Sequence, residues 1–273
     1  MYIFIPPFIL NYIKITIFCQ EYIDKSKKYT YTELKDNYVL EEKEMNYRGI
    51  ELNTIGKLMD VSTVRTDCVM SEVDEMIDIV KRYHCICASP MPWITKYTID
   101  KLRGCDAVVT GVVGFPGGAE TTETKCHIAK EMTAIGCKEI DMVINVAALK
   151  SGEYEYVKND VKKVIDTAQV PVKTILEVCY LTEEEIKKAS LLCVEAGATY
   201  IKTGTGWGPS PTTVEHIKLI RETIGEAAKI KAAGGVKTLD TLIDMYQAGC
   251  NRFGVGVRSV KTIFSEVEKL NDK

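Results

Sequence analysis

Two lysines lie at the ends of two segments that read as neighbouring β-strands, and each is followed by a turn that contains glycine. Lys202 stands in the sequence YIKTGTG at 200–206, and Lys231 stands in KIKAAGG at 229–235. Burial among apolar, β-prone residues lowers the pKa of a lysine, and a second cation nearby lowers that pKa further. A lysine that is neutral near pH 7 attacks carbonyl carbon and can form a Schiff base. The pair therefore predicts amine catalysis.

The C-terminal halves of other predicted strands also carry ionisable side chains. Asp60 lies on the first strand, Asp141 on the fourth, and Lys173 and Glu177 on the fifth. A single charge at such a position is often one half of an ion pair in the core. Several charges at the same level of several strands are more typical of an active site. A carboxylate among them could hold a water molecule and transfer protons while a carbinolamine forms and dehydrates.

Of the two lysines, Lys202 is the better candidate for the nucleophile. Small and hydroxylated residues follow it at 203–206, and these leave room for a substrate. Lys231 would then be the cation that lowers the pKa of Lys202.

Most of the chain alternates strand-like and helix-like segments. Apolar residues at i, i+3, i+4 and i+7 predict helices at 71–81 and 182–197. The expected helix boundaries are an N-cap at Ser71, a capping box formed by Thr182 with Glu185, and ends at Gly197 and Gly249. The predicted strands are 57–64, 84–89, 107–115, 139–146, 172–178, 199–205, 228–233 and 252–257.

Strands that alternate with helices pair in parallel, and eight such units predict an α/β fold of the closed (β/α)8 type. We therefore expect a single-domain TIM barrel over residues 45–273. The alternative is an open, doubly wound sheet. Such a sheet usually has fewer strands and a glycine-rich turn after its first strand, which this sequence lacks.

The segments that end the seventh strand and build the eighth are rich in glycine. Gly234 and Gly235 are followed by Lys237, and the last predicted strand contains Gly254 and Gly256. In barrels, the loops at these two positions often bind phosphate through backbone N–H groups and a helix N-terminus. Ordinary turns also need glycine, so the position of these glycines, more than their presence, favours a phosphate site.

Composition and charge argue against other classes of function. The 273 residues carry a formal net charge of -3, and no aromatic residues are interleaved with basic runs, so nucleic-acid binding is not expected. The ten cysteines include no pair of Cys-x-x-Cys units, and the three histidines have no ligand spacing. We therefore expect reduced thiols in a cytoplasmic protein with no metal site and no cofactor.

Residues 1–44 differ from the rest of the chain. The stretch 1–18 is apolar and aromatic, but Pro6, Pro7 and Lys14 interrupt it, and it is too short and broken to span a membrane. It also lacks the basic start and small-residue cleavage site of a secretory signal. We expect a disordered or loosely attached extension whose removal leaves activity unchanged. A membrane-surface anchor is the alternative.

Five separate motifs are similar to those of a known enzyme family. They are MDVST at 59–63, VGFPGG at 113–118, EIDMVIN at 139–145, IKTGTG at 201–206 and KAAGGVKT at 231–238. Together they resemble the deoxyribose-phosphate aldolases. The resemblance implies a class I aldolase, a lyase on a (β/α)8 barrel, that cleaves 2-deoxy-D-ribose 5-phosphate to glyceraldehyde 3-phosphate and acetaldehyde without a metal. It also implies a part in deoxyribonucleotide catabolism, and we expect a homodimer or another homo-oligomer with no membrane partner.

The resemblance assigns catalytic roles to three residues. Lys202 corresponds to the lysine that forms the Schiff base, and Lys231 to the second lysine that lowers its pKa. Asp141 corresponds to the aspartate that organises the catalytic water.

The resemblance also indicates residues that bind the substrate. Asp60 and Ser62 match first-strand positions near the substrate hydroxyls. Lys173 matches a further active-site lysine, and Cys87 matches a cysteine near the aldehyde pocket. The other candidates for substrate binding are loop residues: Thr205, Gly206, Gly234, Gly235, Lys237, Gly254, Gly256 and Arg258.

The phosphate loops depart from the family pattern. The family usually has one or two serines after the glycine of strand eight, where this chain has GVGV at 254–257, and it often has lysine or phenylalanine where this chain has Trp207. Loss of the serine hydroxyls removes hydrogen bonds to phosphate, for which backbone donors, Lys237 and Arg258 could compensate. One alternative is therefore a Schiff-base aldolase of the same barrel that acts on a different or unphosphorylated sugar. Another is a barrel that binds a phosphorylated ligand without catalysis.

Overall fold

Eight parallel strands close into a barrel in the computed structural model, which describes residues 46–271. Each strand pairs with its neighbours in chain order, and the last pairs with the first, so the predicted (β/α)8 barrel is confirmed. The strands are β1 Met59–Ser62, β2 Cys87–Ser89, β3 Val108–Val113, β4 Glu139–Val143, β5 Val172–Ile175, β6 Tyr200–Lys202, β7 Lys229–Ala233 and β8 Arg252–Gly256.

Helices connect the strands on the outside of the barrel. They are α1 Met70–Arg82, α2 Pro92–Lys101, α3 Thr122–Ala134, α4 Val146–Lys150, α5 Tyr154–Ala168, α6 Glu183–Glu195, α7 Val214–Ile224, α8 Leu239–Gln247 and α9 Val257–Asn271. Short 3-10 helices at Leu52–Leu58 and Val178–Tyr180 precede β1 and follow β5. A two-stranded hairpin, Asn46–Tyr47 with Ile50–Glu51, comes before the first of these.

The strands are shorter than the sequence predicts, because the backbone leaves the sheet sooner at both ends. Lys57 belongs to the 3-10 helix before β1, and His84 adopts a left-handed turn with φ of 51°. At the other end, the stretch from Thr203 to Thr205 leaves β6 and becomes a loop. The candidate site forms at the carboxyl ends of the strands, where the chain leaves the sheet.

The predicted helix boundaries are confirmed at α6, and one is wrong at α1. At α6, the Thr182 hydroxyl accepts the Glu185 N–H at 3.3 Å, and the Glu185 carboxylate accepts the Thr182 N–H at 2.8 Å. At α1 the helix begins at Met70 and not after Ser71. The reason is that the Glu72 carboxylate accepts the Val69 N–H at 3.5 Å, which places the start of the helix one turn before Glu72. Gly197 and Gly249 follow α6 and α8 with positive φ, as expected of helix ends.

Strand alternation divides the residues of the barrel between two environments. Apolar side chains such as Val61, Ile140, Ile201 and Ile230 are fully buried. Polar side chains lie one position away from them along the strands and meet one another across the sheet. The register pairs Asp60 with Cys87, Asp141 with Lys173, and Lys202 with Lys231. Because successive side chains of a strand point to opposite faces, the charged positions all point to the face away from the helices.

Two further expectations concern the cysteines and the absence of a membrane-spanning helix. The nine cysteines between residues 46 and 271 are free thiols. In the same range, no helix has the length and apolar character needed to cross a bilayer. The extension predicted at 1–44 lies outside the described residues.

A buried ion pair joins α3 to α5 behind β4. Lys125 donates to Asp160 at 2.7 Å and to the Val143 carbonyl at 3.2 Å, and both charged side chains have no exposed surface. The Thr122 hydroxyl donates to the other oxygen of Asp160 at 2.8 Å. The charge of Lys125 is therefore neutralised by Asp160, and the charge of Asp160 by Lys125.

Asp160→Asn should destabilise the fold strongly, because it leaves the Lys125 ammonium buried without a counter-charge. The expected loss is about 3–5 kcal/mol in the free energy of unfolding, measured by urea denaturation. The matched control is Asp166→Asn on the same helix, which breaks an exposed pair with Lys162 and should change that free energy by about 0.5 kcal/mol or less. Equal effects of the two substitutions would contradict the prediction.

Candidate active site

The carboxylate of Asp141 lies inside the barrel and binds three lysines. Its Oδ2 accepts hydrogen bonds from Lys202 Nζ and Lys231 Nζ, each at 2.7 Å. Its Oδ1 accepts Lys173 Nζ at 3.0 Å and the Thr110 hydroxyl at 3.1 Å. The sequence predicts the three lysines and the aspartate separately, and the barrel brings them into one cluster.

Asp60 is the second carboxylate of this cluster. Lys231 Nζ donates to its Oδ2 at 2.5 Å, and Arg252 Nε donates to its Oδ1. The guanidinium of Arg252 also binds both oxygens of Glu139, at 2.8 and 2.9 Å. Lys173 Nζ donates to Glu139 at 2.5 Å and lies 3.8 Å from Asp60. The result is one continuous network of charge-assisted hydrogen bonds on β1, β4, β5, β6, β7 and β8.

The cluster has one more cationic side chain than it has carboxylates. The carboxylates are Asp60, Glu139 and Asp141, and the cationic side chains are Lys173, Lys202, Lys231 and Arg252. An uncompensated charge is disfavoured in a buried environment, so the cluster favours the loss of one proton from one lysine. Lys202 is 7% exposed, whereas Lys231 is 1% exposed and Lys173 is fully buried, so Lys202 has the best access to a substrate.

The pKa values of the cluster separate the roles of its members. Burial lowers the pKa of Lys202 to about 8; Asp141 opposes this shift, and Lys231 and Lys173 add to it. Burial would also lower the pKa of Lys173, but Asp141 and Asp60 raise it above its ordinary value, so this lysine stays cationic. Burial would raise the pKa of Asp141, but Lys173, Lys202 and Lys231 hold it well below its ordinary value. Lys202 is therefore the amine that is readily neutral near physiological pH.

Cys87 lies at the start of β2, next to the same carboxylates. Burial and the nearby Asp60 raise the pKa of its thiol to about 12, so the thiol stays protonated. Its sulfur and oxygens of Asp60 and Glu139 lie within 4.8 Å of one another, the arrangement among the described residues that comes nearest to a metal site. Arg252 already binds both carboxylates, so a metal ion would have to displace its guanidinium.

The glycine loops after β6 and β7 enclose a cavity of about 240 Å³ beside the cluster. Four of the predicted substrate-binding residues line it: Gly206, Gly234, Gly235 and Lys237. A Cβ at Gly235 would lie 2.7 Å from Pro211, and one at Gly234 would lie 3.2 Å from the backbone of Gly206. Both glycines also have positive φ. A residue with a side chain is therefore disfavoured at each position, both by the lack of space and by the backbone conformation.

The predicted residues of strand eight lie elsewhere. A Cβ at Gly254 would lie 3.3 Å from the side chain of Lys231, so this glycine makes room for the lysine. Gly256 is exposed at the rim with open space beside it, and Arg258 is exposed near Asp67. None of the three belongs to the wall of the 240 Å³ cavity. Ser62 lies on the rim of β1, where its hydroxyl donates to the Val255 carbonyl at 3.4 Å.

Several residues of the site received no role from the sequence. Arg252 and Glu139 connect Asp60 to Lys173 through hydrogen bonds. Arg252 stands two positions before the predicted Gly254, and Glu139 stands two positions before the predicted Asp141. The same alternation that indicates Asp141 and Gly254 could have found them, because residues two apart share a face. Ser89, paired with Ser62 in the sheet, has a buried hydroxyl without a hydrogen-bond partner among the described residues. No signal in the sequence distinguishes this serine.

Comparisons with known proteins show the family of this chain. Residues 100–266 match the model of the DeoC/LacD family of aldolases. The deoxyribose-phosphate aldolase of Rhizobium meliloti is 40% identical over 206 residues, which are 75% of this chain and 83% of that protein. The corresponding enzyme of a Thermoanaerobacter species is 40% identical over 213 residues, 76% of this chain and 96% of that protein. This chain belongs to the DeoC/LacD aldolase family.

Solved structures of aldolases share the fold. The aldolase QR15 superposes with a TM-score of 0.74 at 33% identity, over 79% of this chain and 96% of that one. A tetrameric deoxyribose phosphate aldolase from Aeropyrum pernix has the same TM-score at 20% identity and shows the likeness in fold, over 80% of this chain and 93% of that one. The chain is thus an enzyme, a carbon–carbon lyase of the deoxyribose-phosphate aldolase type, as the resemblance in its motifs implies.

Two substitutions should move the pKa of Lys202 in opposite directions. Lys231→Leu removes a cation and should raise it, whereas Asp141→Asn removes an anion and should lower it. The measurement is the rate at which an amine-reactive reagent labels Lys202 as a function of pH, followed by mass spectrometry of the peptide. In the wild type, labelling should rise with pH through a midpoint at about 8, because only the neutral amine reacts. Shifts of the same sign in both variants would contradict the electrostatic account.

Proposed function

We propose that this enzyme cleaves 2-deoxy-D-ribose 5-phosphate to glyceraldehyde 3-phosphate and acetaldehyde through a Schiff base on Lys202. One observation carries the proposal: Lys202 is a buried lysine with a pKa of about 8 that shares one oxygen of Asp141 with Lys231. A neutral amine beside a proton-transfer group is what Schiff-base chemistry requires. The two deoxyribose-phosphate aldolases that are 40% identical to the chain support the choice of substrate.

The first stage is addition to the aldehyde. The neutral Nζ of Lys202 adds to C1 of the open-chain sugar, and the carbonyl oxygen gains a proton, which gives a carbinolamine. Loss of this oxygen as water leaves a protonated Schiff base. Asp141 lies 2.7 Å from Nζ and is the group placed to transfer these protons, directly or through a water molecule. Lys231 binds the same oxygen of Asp141, and its proximity lowers the pKa of Lys202, which favours the neutral form of the attacking amine.

The second stage breaks the bond between C2 and C3. The C3 hydroxyl loses its proton, the C2–C3 electrons move into the iminium, and glyceraldehyde 3-phosphate leaves. The remaining enamine gains a proton at C2 and is hydrolysed to acetaldehyde and free Lys202. In this scheme the iminium accepts the electrons, a task that needs no metal ion. Asp60 and Ser62 are proposed to lie near the substrate hydroxyls, and Lys173 is proposed as a further lysine of the active site.

The 240 Å³ cavity is the proposed site of the substrate phosphate. Gly234 and Gly235 lie just before α8, whose N-terminus favours an anion, and Lys237 adds a positive charge from the exposed edge. The loop after β8 contributes no serine hydroxyl, because Gly256 and Val257 stand there. We therefore propose a phosphate preference that is weaker than in relatives with such serines.

The second candidate is a Schiff-base aldolase for a different or unphosphorylated sugar. The observation in its favour is that Gly254, Gly256 and Arg258 do not line the cavity. Trp207 offers no side-chain donor there either, since its indole N–H donates to the Val64 carbonyl at 2.7 Å.

A location in the cytoplasm, a part in deoxyribonucleotide catabolism and association into a homo-oligomer stay predictions.

Lys202→Ala should abolish both turnover and covalent trapping by acetaldehyde with borohydride, because the nucleophile is lost. Asp141→Asn should leave the nucleophile in place but reduce kcat by roughly 10²- to 10⁴-fold, the scale of a lost acid–base group. The measurements are steady-state cleavage and the mass of the trapped peptide, with circular dichroism as the control for folding. An adduct on Lys231 in the wild type would contradict the assignment. Wild-type turnover in Asp141→Asn with a lower Tm would make this carboxylate purely structural.

The wild type should prefer 2-deoxyribose 5-phosphate over 2-deoxyribose, and Gly256→Ser should widen that preference. The added hydroxyl can donate to phosphate, and the position has open space around it. The measurement is the ratio of kcat/KM for the two sugars. Val257→Ser is the less favourable test, because Val257 is buried at the start of α9 and loses apolar contacts. If the wild type prefers the free sugar, the second candidate function is the better one.

A further inference from the structure

Glu177 has an unusual backbone and a buried side chain at the edge of the phosphate cavity. It follows β5 with φ of 57°, in the left-handed region that residues other than glycine rarely adopt. Its side chain is 6% exposed and lines the 240 Å³ cavity. Such a backbone persists where surrounding contacts impose it, and it is often found at functional sites.

Both oxygens of Glu177 are bound to one residue, Thr205, in the loop after β6. The Thr205 N–H lies 3.2 Å from each of them, and the Thr205 hydroxyl donates to Oε2. Thr205 is three residues beyond Lys202, on the loop that joins the nucleophile to the cavity. Glu177 therefore fixes both the backbone and the side chain of this loop residue.

The contacts continue from Thr205 across the mouth of the barrel. The Thr205 hydroxyl accepts the Trp207 N–H at 3.0 Å, which closes a tight turn around Gly206. The Trp207 indole donates to the carbonyl of Val64 after β1, and its ring packs edge-on against Phe115 at 6.0 Å between centroids. The turn 205–207 is thus anchored to β5 on one side and to the loops after β1 and β3 on the other.

The turn leaves a donor free at the cavity. Gly206 lines the cavity with φ of 84°, and its N–H has no acceptor among the described residues. Gly204 is also constrained, since a Cβ there would lie 2.9 Å from Glu177 Oε1. The carboxylate of Glu177 therefore lies directly against the loop that presents the free N–H.

We propose that Glu177 is a positioning residue for phosphate: it holds the turn 205–207 in the shape that presents the Gly206 N–H to the anion. This inference rests on the proposed function, which assigns the phosphate to the 240 Å³ cavity. It adds Glu177 as the residue that holds the phosphate-binding turn in shape. A carboxylate in an anion site would repel phosphate if its oxygens faced the ligand. Here Thr205 binds both oxygens, so the negative charge strengthens the hydrogen bonds that shape the turn.

The test separates anion binding from catalysis. Binding of inorganic phosphate is measured by titration calorimetry, and KM and kcat are measured for 2-deoxyribose 5-phosphate and for 2-deoxyribose. Glu177→Gln loses one acceptor for Thr205, and Thr205→Val loses the hydroxyl. Each should weaken phosphate binding and raise KM for the phosphorylated sugar by roughly tenfold, the scale of one lost charge-assisted hydrogen bond. In both variants KM for the phosphorylated sugar should rise by a larger factor than kcat falls, and by a larger factor than KM for the free sugar rises.

Three comparisons show whether Glu177 acts through the turn. The double variant of Glu177→Gln with Thr205→Val should bind phosphate no more weakly than Thr205→Val alone, because that substitution already removes the hydrogen bond between the Thr205 hydroxyl and Glu177. Thr205→Ser returns the hydroxyl and should recover most of the affinity lost in Thr205→Val. Glu184→Gln removes an exposed carboxylate on α6 that pairs with Lys187, and it should change nothing. If Glu177→Gln does not fold, the pair Thr205→Val and Thr205→Ser still tests the turn.

Several outcomes would overturn the inference. They are wild-type phosphate affinity in Glu177→Gln, tighter phosphate binding in that variant, additive effects in the double variant, and a wild type that does not bind phosphate. Tighter binding would mean that the carboxylate repels the anion. The proposed reaction has a separate test: it is wrong if borohydride traps no adduct on Lys202. Calorimetry with inorganic phosphate does not depend on the Schiff base, so the two failures can be told apart.

Discussion

The shared contact of one carboxylate with three lysines is the interaction on which the rest of this site depends. Asp141 binds Lys202 and Lys231 through one oxygen and Lys173 through the other, inside the barrel. Without this anion, three ammonium groups would lie close together in a buried space, and each would lose its proton or disrupt the core. With it, Lys173 stays charged, and Lys202 has a pKa of about 8.

The parallel barrel makes this contact possible. Its strands run in the same direction, so their carboxyl ends meet at one end, and their alternate residues point inward at matching levels. Asp141 and Lys173 are direct neighbours in the sheet, as are Lys202 and Lys231. Arg252 then joins the carboxylates of Asp60 and Glu139 across the closed sheet.

The charged cluster and the proposed phosphate cavity occupy different parts of the molecule. The charged cluster lies on the strands, whose positions are fixed by hydrogen bonds on both sides. The cavity lies in the loops after β6 and β7, where Gly206 and Gly234 come into contact. The loop after β6 is connected to both, since it begins at Lys202 and is held by Glu177 and Trp207. A change in substrate preference can therefore arise in loops while the amine chemistry stays intact.

The sequence by itself determined the fold and indicated the residues of the candidate site. Strand and helix periods, with glycine at the turns, indicate eight βα units, and charges at apolar positions identify Asp60, Asp141, Lys202 and Lys231, because these are local signals. Tertiary structure lowers the pKa of Lys202 and decides which glycines line the cavity, because burial and contacts across the sheet join residues far apart in the chain. Arg252 shows this most clearly, because its two carboxylate partners are 113 and 192 residues away.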